Sequence, residues 1–314
     1  MTETHIAPLT EPRSYHGQPV IKKPTWTWEI PCYFFTGGLG GASAGLAYLS
    51  GLRGEDELAR RAWGVAMAGV GVSPVLLISD LGRPERFLNM FRMFKVTSPM
   101  SVGSWILGAS GAMTSVAAAN AWLGVFPRLS RLARPLAAVA GLPLSTYTAA
   151  LIANTAVPAW HEARRTLPFV FAAGAGLTAG AAATVATPPA YAAAARRLAL
   201  AGSVAELAAQ QALHRSLGEH EGAYKEAGPR RLERMAQVGL LVGAGLLAAR
   251  GRSSRLAAAA GGGLALAGGL AARWSIYKAG LVSAADPKYV VGPQRARIRS
   301  GARPGAARTT AQPK

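Results

Sequence analysis

The sequence predicts an all-α fold, a polytopic membrane helical bundle of about eight transmembrane helices in two four-helix bundles. Two observations lead there. Mostly apolar segments near 20 residues, the length a hydrocarbon core asks of a helix, recur along the chain. The charge, formally +19, is spread over the connections and one tail rather than gathered on a soluble domain, which argues against nucleic acid as a partner and for a membrane surface.

Three regions follow from composition: a polar N-terminal arm over 1–25, a transmembrane domain over 26–280 and a basic tail over 281–314. The arm lacks the basic-then-apolar order of a cleavable signal. Eight spans are expected, at Ile30–Leu52, Trp63–Leu81, Val102–Phe126, Pro135–Pro158, Leu167–Thr187, Tyr191–Leu213, Leu232–Ala249 and Leu256–Tyr277. An even number places both termini on one side of the membrane. The same side then receives the loop after Asp80, the turn at His161 and the loop after His214. Basic residues lie on both faces, so the positive-inside rule does not orient the chain.

The first span opens with W-T-W-E-I-P-C-Y-F-F-T-G-G-L-G-G from Trp26. Trp26, Trp28 and Tyr33 read as an aromatic belt, and Gly37, Gly41 and Gly45 leave one helix face bare for a close neighbour. Glu29 stands at the helix start, where the dipole favours an acid; a protonatable site is the alternative. Asp80 ends the second span, and Arg83 and Arg86 follow at a spacing that lets an acid and two bases meet. Ser98 and Pro99 signal entry into the third helix. In the fourth span Tyr147 and Asn154, seven residues apart, fall near one helix face. Later spans are rich in Ala and Gly and drive insertion weakly. The sixth carries Arg196, Arg197, Glu206, Gln210 and Gln211, so an amphipathic surface helix competes with a span whose acid faces the bundle interior. The tail, with Lys288 and several arginines among Gly, Pro and Ala, is expected to be disordered and to touch anionic lipid or a partner.

Missing residues narrow the chemistry. One cysteine, Cys32, excludes an iron–sulfur cluster held by this chain alone. Haem needs axial histidines within the spans, yet His5 and His16 lie in the arm, and His161, His214 and His220 at span ends or in a loop. Their spacing does not suit a metal site either.

The motifs W-x-W-E-I-P-x-Y-F-F-x-G-G-L-G-G, D-L-G-R-P-E-R-F, S-P-M-S-V-G-S-W and Y-x-x-x-L-I-A-N-T-x-V-P-x-W resemble those of the NrfD/PsrC family, the integral membrane subunit of polysulfide reductase, nitrite reductase and related complexes. The resemblance covers roughly residues 26 to 165, and afterwards mainly the span count and Arg273 agree. It implies an anchor without its own redox centre that binds menaquinone or ubiquinone near the membrane surface. Electrons would pass between that quinone and a ferredoxin-like iron–sulfur subunit, with a molybdopterin catalytic subunit beyond, as in complexes of the formate dehydrogenase or polysulfide reductase kind. A bacterial cell membrane is the expected location.

Carried over by motif, Glu29, Asp80 and Tyr147 are the catalytic candidates and Tyr33, Arg83 and Arg86 the quinone-binding ones, which Asn154 joins through its place on the Tyr147 face of the fourth span. The first helix departs from the polysulfide reductase pattern of Asn, His and Tyr, which leaves the proton acceptor open. Glu206 and Arg273 form either a proton path or a structural pair, and Arg92 and Lys95 face the partner. Two other classes compete: an ion or solute transporter, suggested by charges inside or beside spans, and a purely structural anchor.

Overall fold

The structure, a computed structural model, describes residues 19–299; His5, His16 and the last part of the basic tail lie outside the described residues. Those described form helices and no strand. In order they are α1 (Glu29–Leu52), α2 (Asp56–Ser79), a 3-10 helix (Pro84–Phe91), α3 (Pro99–Leu123), α4 (Pro127–Ala153), α5 (Pro158–Glu162), α6 (Leu167–Ala186), α7 (Ala193–Leu217), α8 (Gly222–Lys225), α9 (Ala227–Arg250), α10 (Arg255–Ala285) and α11 (Lys288–Arg299).

Local signals set the ends of α3. Ser98 accepts a hydrogen bond from the Ser101 N–H, Pro99 occupies the first turn, and Gly124 closes the helix at φ 70°, where a residue without Cβ fits best. Ser254 caps α10 in the same way through the Ala257 N–H.

The eight long helices pack as two groups of four. α1 to α4 surround one core, with α1 against α2 and α4, and α3 against the same two. α6, α7, α9 and α10 form the second, and α6 lies along α1 and α4 to join them. Because the long helices alternate in direction, the starts of α1, α3, α6 and α9 share a face with the ends of α2, α4, α7 and α10. That face also carries the 3-10 helix, α5, α8 and α11.

Six helices are long and apolar enough to cross a membrane: α2, α3, α4, α6, α9 and α10. The protein is therefore an integral membrane protein. α1 and α7, expected as spans, do not reach that apolar character, and packing explains both. α1 is enclosed by α2, α4, α6 and α10, so glycine serves it where lipid contact would ask for Leu or Phe. α7 turns Arg196, Glu206 and Gln210 inward and leaves Val204 exposed.

Of the glycine stripe of α1, Gly41 alone makes the close approach expected of all three. Gly45 has open space around it, and Gly37 meets only the Tyr33 ring and Ser73 at ordinary contact distance. Close approach falls instead at Gly41 against Gly141 of α4, and at Gly40 against Gly69 and Val70 of α2. Glycines at adjacent positions point to different neighbours, so α1 touches two helices closely rather than one.

Order also persists into the stretch expected as a disordered tail. α11 is helical over Lys288–Arg299. Tyr289 is buried beside His220, whose Nε2 lies 3.1 Å from the Tyr289 carbonyl. Lys288 pairs with Asp286 at 2.8 Å and holds that carboxyl below the usual range. One aromatic anchor and its flanking ion pair offset the poor apolar content.

Candidate active site at the loop-bearing face

At the entrance to α1 a single peptide unit is held from two sides. The Trp26 carbonyl accepts a hydrogen bond from the Tyr277 hydroxyl of α10, and the Thr27 N–H donates to Asp80 Oδ1 at 3.3 Å. The Thr27 hydroxyl bonds to Glu29 Oε2 and lies 3.1 Å from Asp80 Oδ1. One hydroxyl proton thus stands within reach of two carboxylates. The backbone N–H keeps hold of Asp80 whichever acid the hydroxyl serves.

An aromatic ladder braces this entrance. Trp160 of α5 stacks on Trp26 at 5.8 Å and on Tyr277 at 6.3 Å, and its Nε1 donates to the Ile276 carbonyl at 2.8 Å. Gly280 makes room, since a Cβ there would overlap the indole.

One turn into the helix from Glu29, on the same face, is Tyr33. Its side chain is buried, and its hydroxyl is shielded from water with no hydrogen-bond partner. The Tyr147 ring of α4 meets it edge-on at 6.3 Å and lies against Gly103 of α3, where any Cβ would clash. A largely apolar cavity of about 300 Å³ lies between α2, α3 and the 3-10 helix, lined by Val70, Leu77, Phe91, Ser104 and Leu107 and by neither tyrosine. Leu107 and Val70 belong to the same packed cluster as Tyr33, and Leu77 and Tyr147 pack against it.

The remaining candidates fall elsewhere. Arg83 and Arg86 are exposed and make no ion pair with Asp80. The expected acid–base triad does not form, because Thr27 takes the carboxylate and the 3-10 helix carries the arginines outward. Asn154 is not part of a stripe with Tyr147. It is the C-cap of α4, exposed, and its amide donates back to the Ala150 carbonyl at 2.7 Å. Arg92 and Lys95 are exposed on a loop whose backbone is fixed: the Ser101 hydroxyl donates to the Met93 carbonyl at 3.1 Å and accepts from the Lys95 N–H at 3.0 Å. Glu206 and Arg273 face each other inside the second bundle at 3.6 Å, both side chains buried. Gln210 donates to Glu206 at 3.1 Å, Arg273 donates to the Val170 and Phe171 carbonyls, and its guanidinium lies 4.3 Å over the Phe171 ring. Gly174 leaves space for the pair.

Glu29, Tyr33, Asp80 and Tyr147, the candidates from the motifs, thus lie along this entrance. Thr27, Trp160 and Tyr277 join them in one assembly, for which the W-T-W run and the Trp beside His161 are the only signals in the sequence.

The family described as Polysulphide reductase, NrfD matches residues 15–215, more than half of the sequence. The chain belongs to the NrfD family. Comparison with curated proteins gives no match. Membership makes this NrfD chain the membrane subunit of a redox complex, and the family generally associates with iron–sulfur and molybdopterin subunits. The matched region holds Thr27, Glu29, Tyr33, Asp80, Tyr147 and Trp160; Arg273 and Tyr277 come from beyond it.

Proposed function

We propose that this NrfD chain is the quinone-reactive anchor of its complex, exchanging electrons between a membrane quinone, menaquinone or ubiquinone, and an iron–sulfur partner subunit, with a molybdopterin subunit beyond. The observation that carries the reading is the placement of two hydroxyl-bridged carboxylates, Glu29 and Asp80, at the membrane face one helix turn from the Tyr33–Tyr147 pair, whose packed cluster shares Val70 and Leu107 with the wall of an apolar cavity.

Oxidising a quinol releases two protons with two electrons, and groups within reach of the ring oxygens must take those protons. The phenols of Tyr147 and Tyr33 hydrogen-bond the ring oxygens. The unpartnered Tyr33 hydroxyl has a donor and an acceptor position to offer. Glu29 and Asp80 accept the protons, and the Thr27 hydroxyl relays between them. Apolar walls exclude water and hold the ring. Exposed Arg92 and Lys95 receive the iron–sulfur subunit. Glu206 and Arg273 serve as a structural pair of the second bundle in this reading, each neutralising the other's charge at 3.6 Å while Gln210 and the Val170 and Phe171 carbonyls supply their hydrogen bonds. The long helices run unbroken across their lengths, which gives the transporter alternative none of the interrupted helices it calls for.

The test is turnover of the intact complex with a short-chain menaquinol, and separately a short-chain ubiquinol, alongside equilibrium binding of the same probes. Glu29→Gln, Asp80→Asn and Tyr147→Phe should each lower turnover by about 10²-fold or more, the range for loss of positioned acid–base groups, with the complex still assembled. Full quinol-dependent activity in all three variants would instead favour an anchor that touches no quinone.

A further inference from the structure

At the opposite membrane face, the far end of the first bundle holds a second cavity of about 360 Å³ that the quinone reading does not use. The end of α1, the start of α2, the end of α3 and the start of α4 surround it, and Tyr48, Asp56, Arg60, Trp63, Asn120 and Arg134 are among its walls. Two guanidiniums here are held in fixed positions. Arg134 donates to Asn120 Oδ1 at 2.9 Å, and Asn120 is itself oriented by donating from Nδ2 to the Val125 carbonyl at 2.9 Å. Arg60 is tied to Glu57 at 2.8 Å and lies 4.9 Å over the Trp122 ring.

Acids and bases both gather here, Glu55, Asp56 and Glu57 with Arg60, Arg61 and Arg134, but the carboxylates are used unevenly, and Glu55 Oε2 is buried without a hydrogen-bond partner. Glu57 is shared with Arg61, also at 2.8 Å, so one carboxylate faces two arginines. Arg134 has no carboxylate partner among the described residues, and its Nε is shielded from solvent without an acceptor. A donor left that way costs free energy that an anion would recover. Asp56 also lines the cavity, in the first turn of α2, where the helix N-terminus meets its charge.

Position and surroundings identify the anion's carrier. Leu49, Leu52, Trp122, Leu123 and Leu132 are exposed around this end of the bundle, apolar side chains of the kind that face acyl chains. We propose that the cavity binds the phosphate of a membrane phospholipid headgroup, its two free phosphodiester oxygens meeting Arg134 and Arg60 while the acyl chains run along those side chains. Basic pockets between transmembrane helices recognise lipid headgroups by this chemistry, and the guanidinium fork suits a phosphate pair of oxygens.

The experiment is a thermal-unfolding titration of the purified full chain in detergent, with three probes: dihexanoyl phosphatidylglycerol, inorganic phosphate and a phosphate-free alkyl glycoside. The short-chain lipid should raise the melting temperature saturably. Arg134→Ala and Arg60→Gln should each raise its half-saturating concentration about tenfold, Arg134→Lys less, and Arg131→Ala, on the exposed side of α4, not at all. Should Arg134→Ala fail to fold, Arg60→Gln alone decides. Equal responses to lipid and inorganic phosphate, equal responses to lipid and alkyl glycoside, or wild-type titration by Arg60→Gln would each overturn the proposal.

Discussion

Thr27 carries more of the site than its size suggests. Its N–H and hydroxyl reach Asp80, 53 residues away, and the same hydroxyl bonds to Glu29. Thr27→Val removes the hydroxyl and keeps the shape. We expect a stability loss of about 1 kcal/mol, the usual net value of a hydrogen bond, and slower quinol turnover, with Thr27→Ser restoring both; chemical denaturation and steady-state turnover are the checks. Unchanged turnover in Thr27→Val would remove the relay from the mechanism. The acids and tyrosines were legible in the sequence because type and position at a span end carried the signal. Thr27 was not, because its partnership depends on where α2 ends relative to α1. The Tyr277 hydroxyl, bonded to a carbonyl 251 residues earlier, is further still from any local pattern. Arg83 and Arg86 show the converse: sequence proximity to Asp80 suggested contact, and the turn of the 3-10 helix directed them away.

Among the elements, α1 decides how closely the first bundle closes. Gly41 and Gly141 face each other backbone to backbone, and Gly45 faces open space. Gly141→Val should therefore destabilise the protein by about 1–3 kcal/mol through overpacking and move Tyr147, further along α4, relative to Tyr33. Gly45→Ala should be neutral or slightly stabilising, since Ala is the better helix former. Melting temperatures in detergent distinguish the two, and equal destabilisation would mean that helix formation rather than close approach sets the effect. Span positions were readable from apolar runs, and the helix entry at Ser98 and Pro99 from its cap. Which glycine meets which helix was not readable, because a four-residue spacing marks a face without naming its neighbour. α11 escaped notice for a related reason: its anchor is one residue, Tyr289, held by His220 from another part of the chain.

For the whole molecule, two bundles joined along α6 put all the candidate quinone chemistry at one face and the phosphate cavity at the other. The 3-10 helix and following loop present Arg92 and Lys95 beside exposed Leu88, Met93, Phe94 and Val96, charge and apolar surface together. Reversal of charge in Arg92→Glu with Lys95→Glu should weaken capture of the iron–sulfur subunit, chiefly by slowing association and reducing its salt dependence, while binding of a short-chain quinol to the chain stays as in wild type. Association kinetics at two ionic strengths test this, and unaltered rates would place the partner elsewhere. Two bundles and eight long helices followed from span count and resemblance alone. What the sequence left open at this scale was how α1 and α7, the less apolar of the eight, find shelter among the others.

The clamp on the Trp26–Thr27 peptide also bears on how the protein is made. α1 leaves the ribosome well before α10, yet the Trp26 carbonyl finds its donor on α10, and the Trp160 indole rests on the same helix. A nascent chain with its first four long helices inserted already holds Glu29, Asp80 and Tyr147, but with their entrance unbraced. The entrance is thus completed only after α10 is made, and arrival of α10 locks α1.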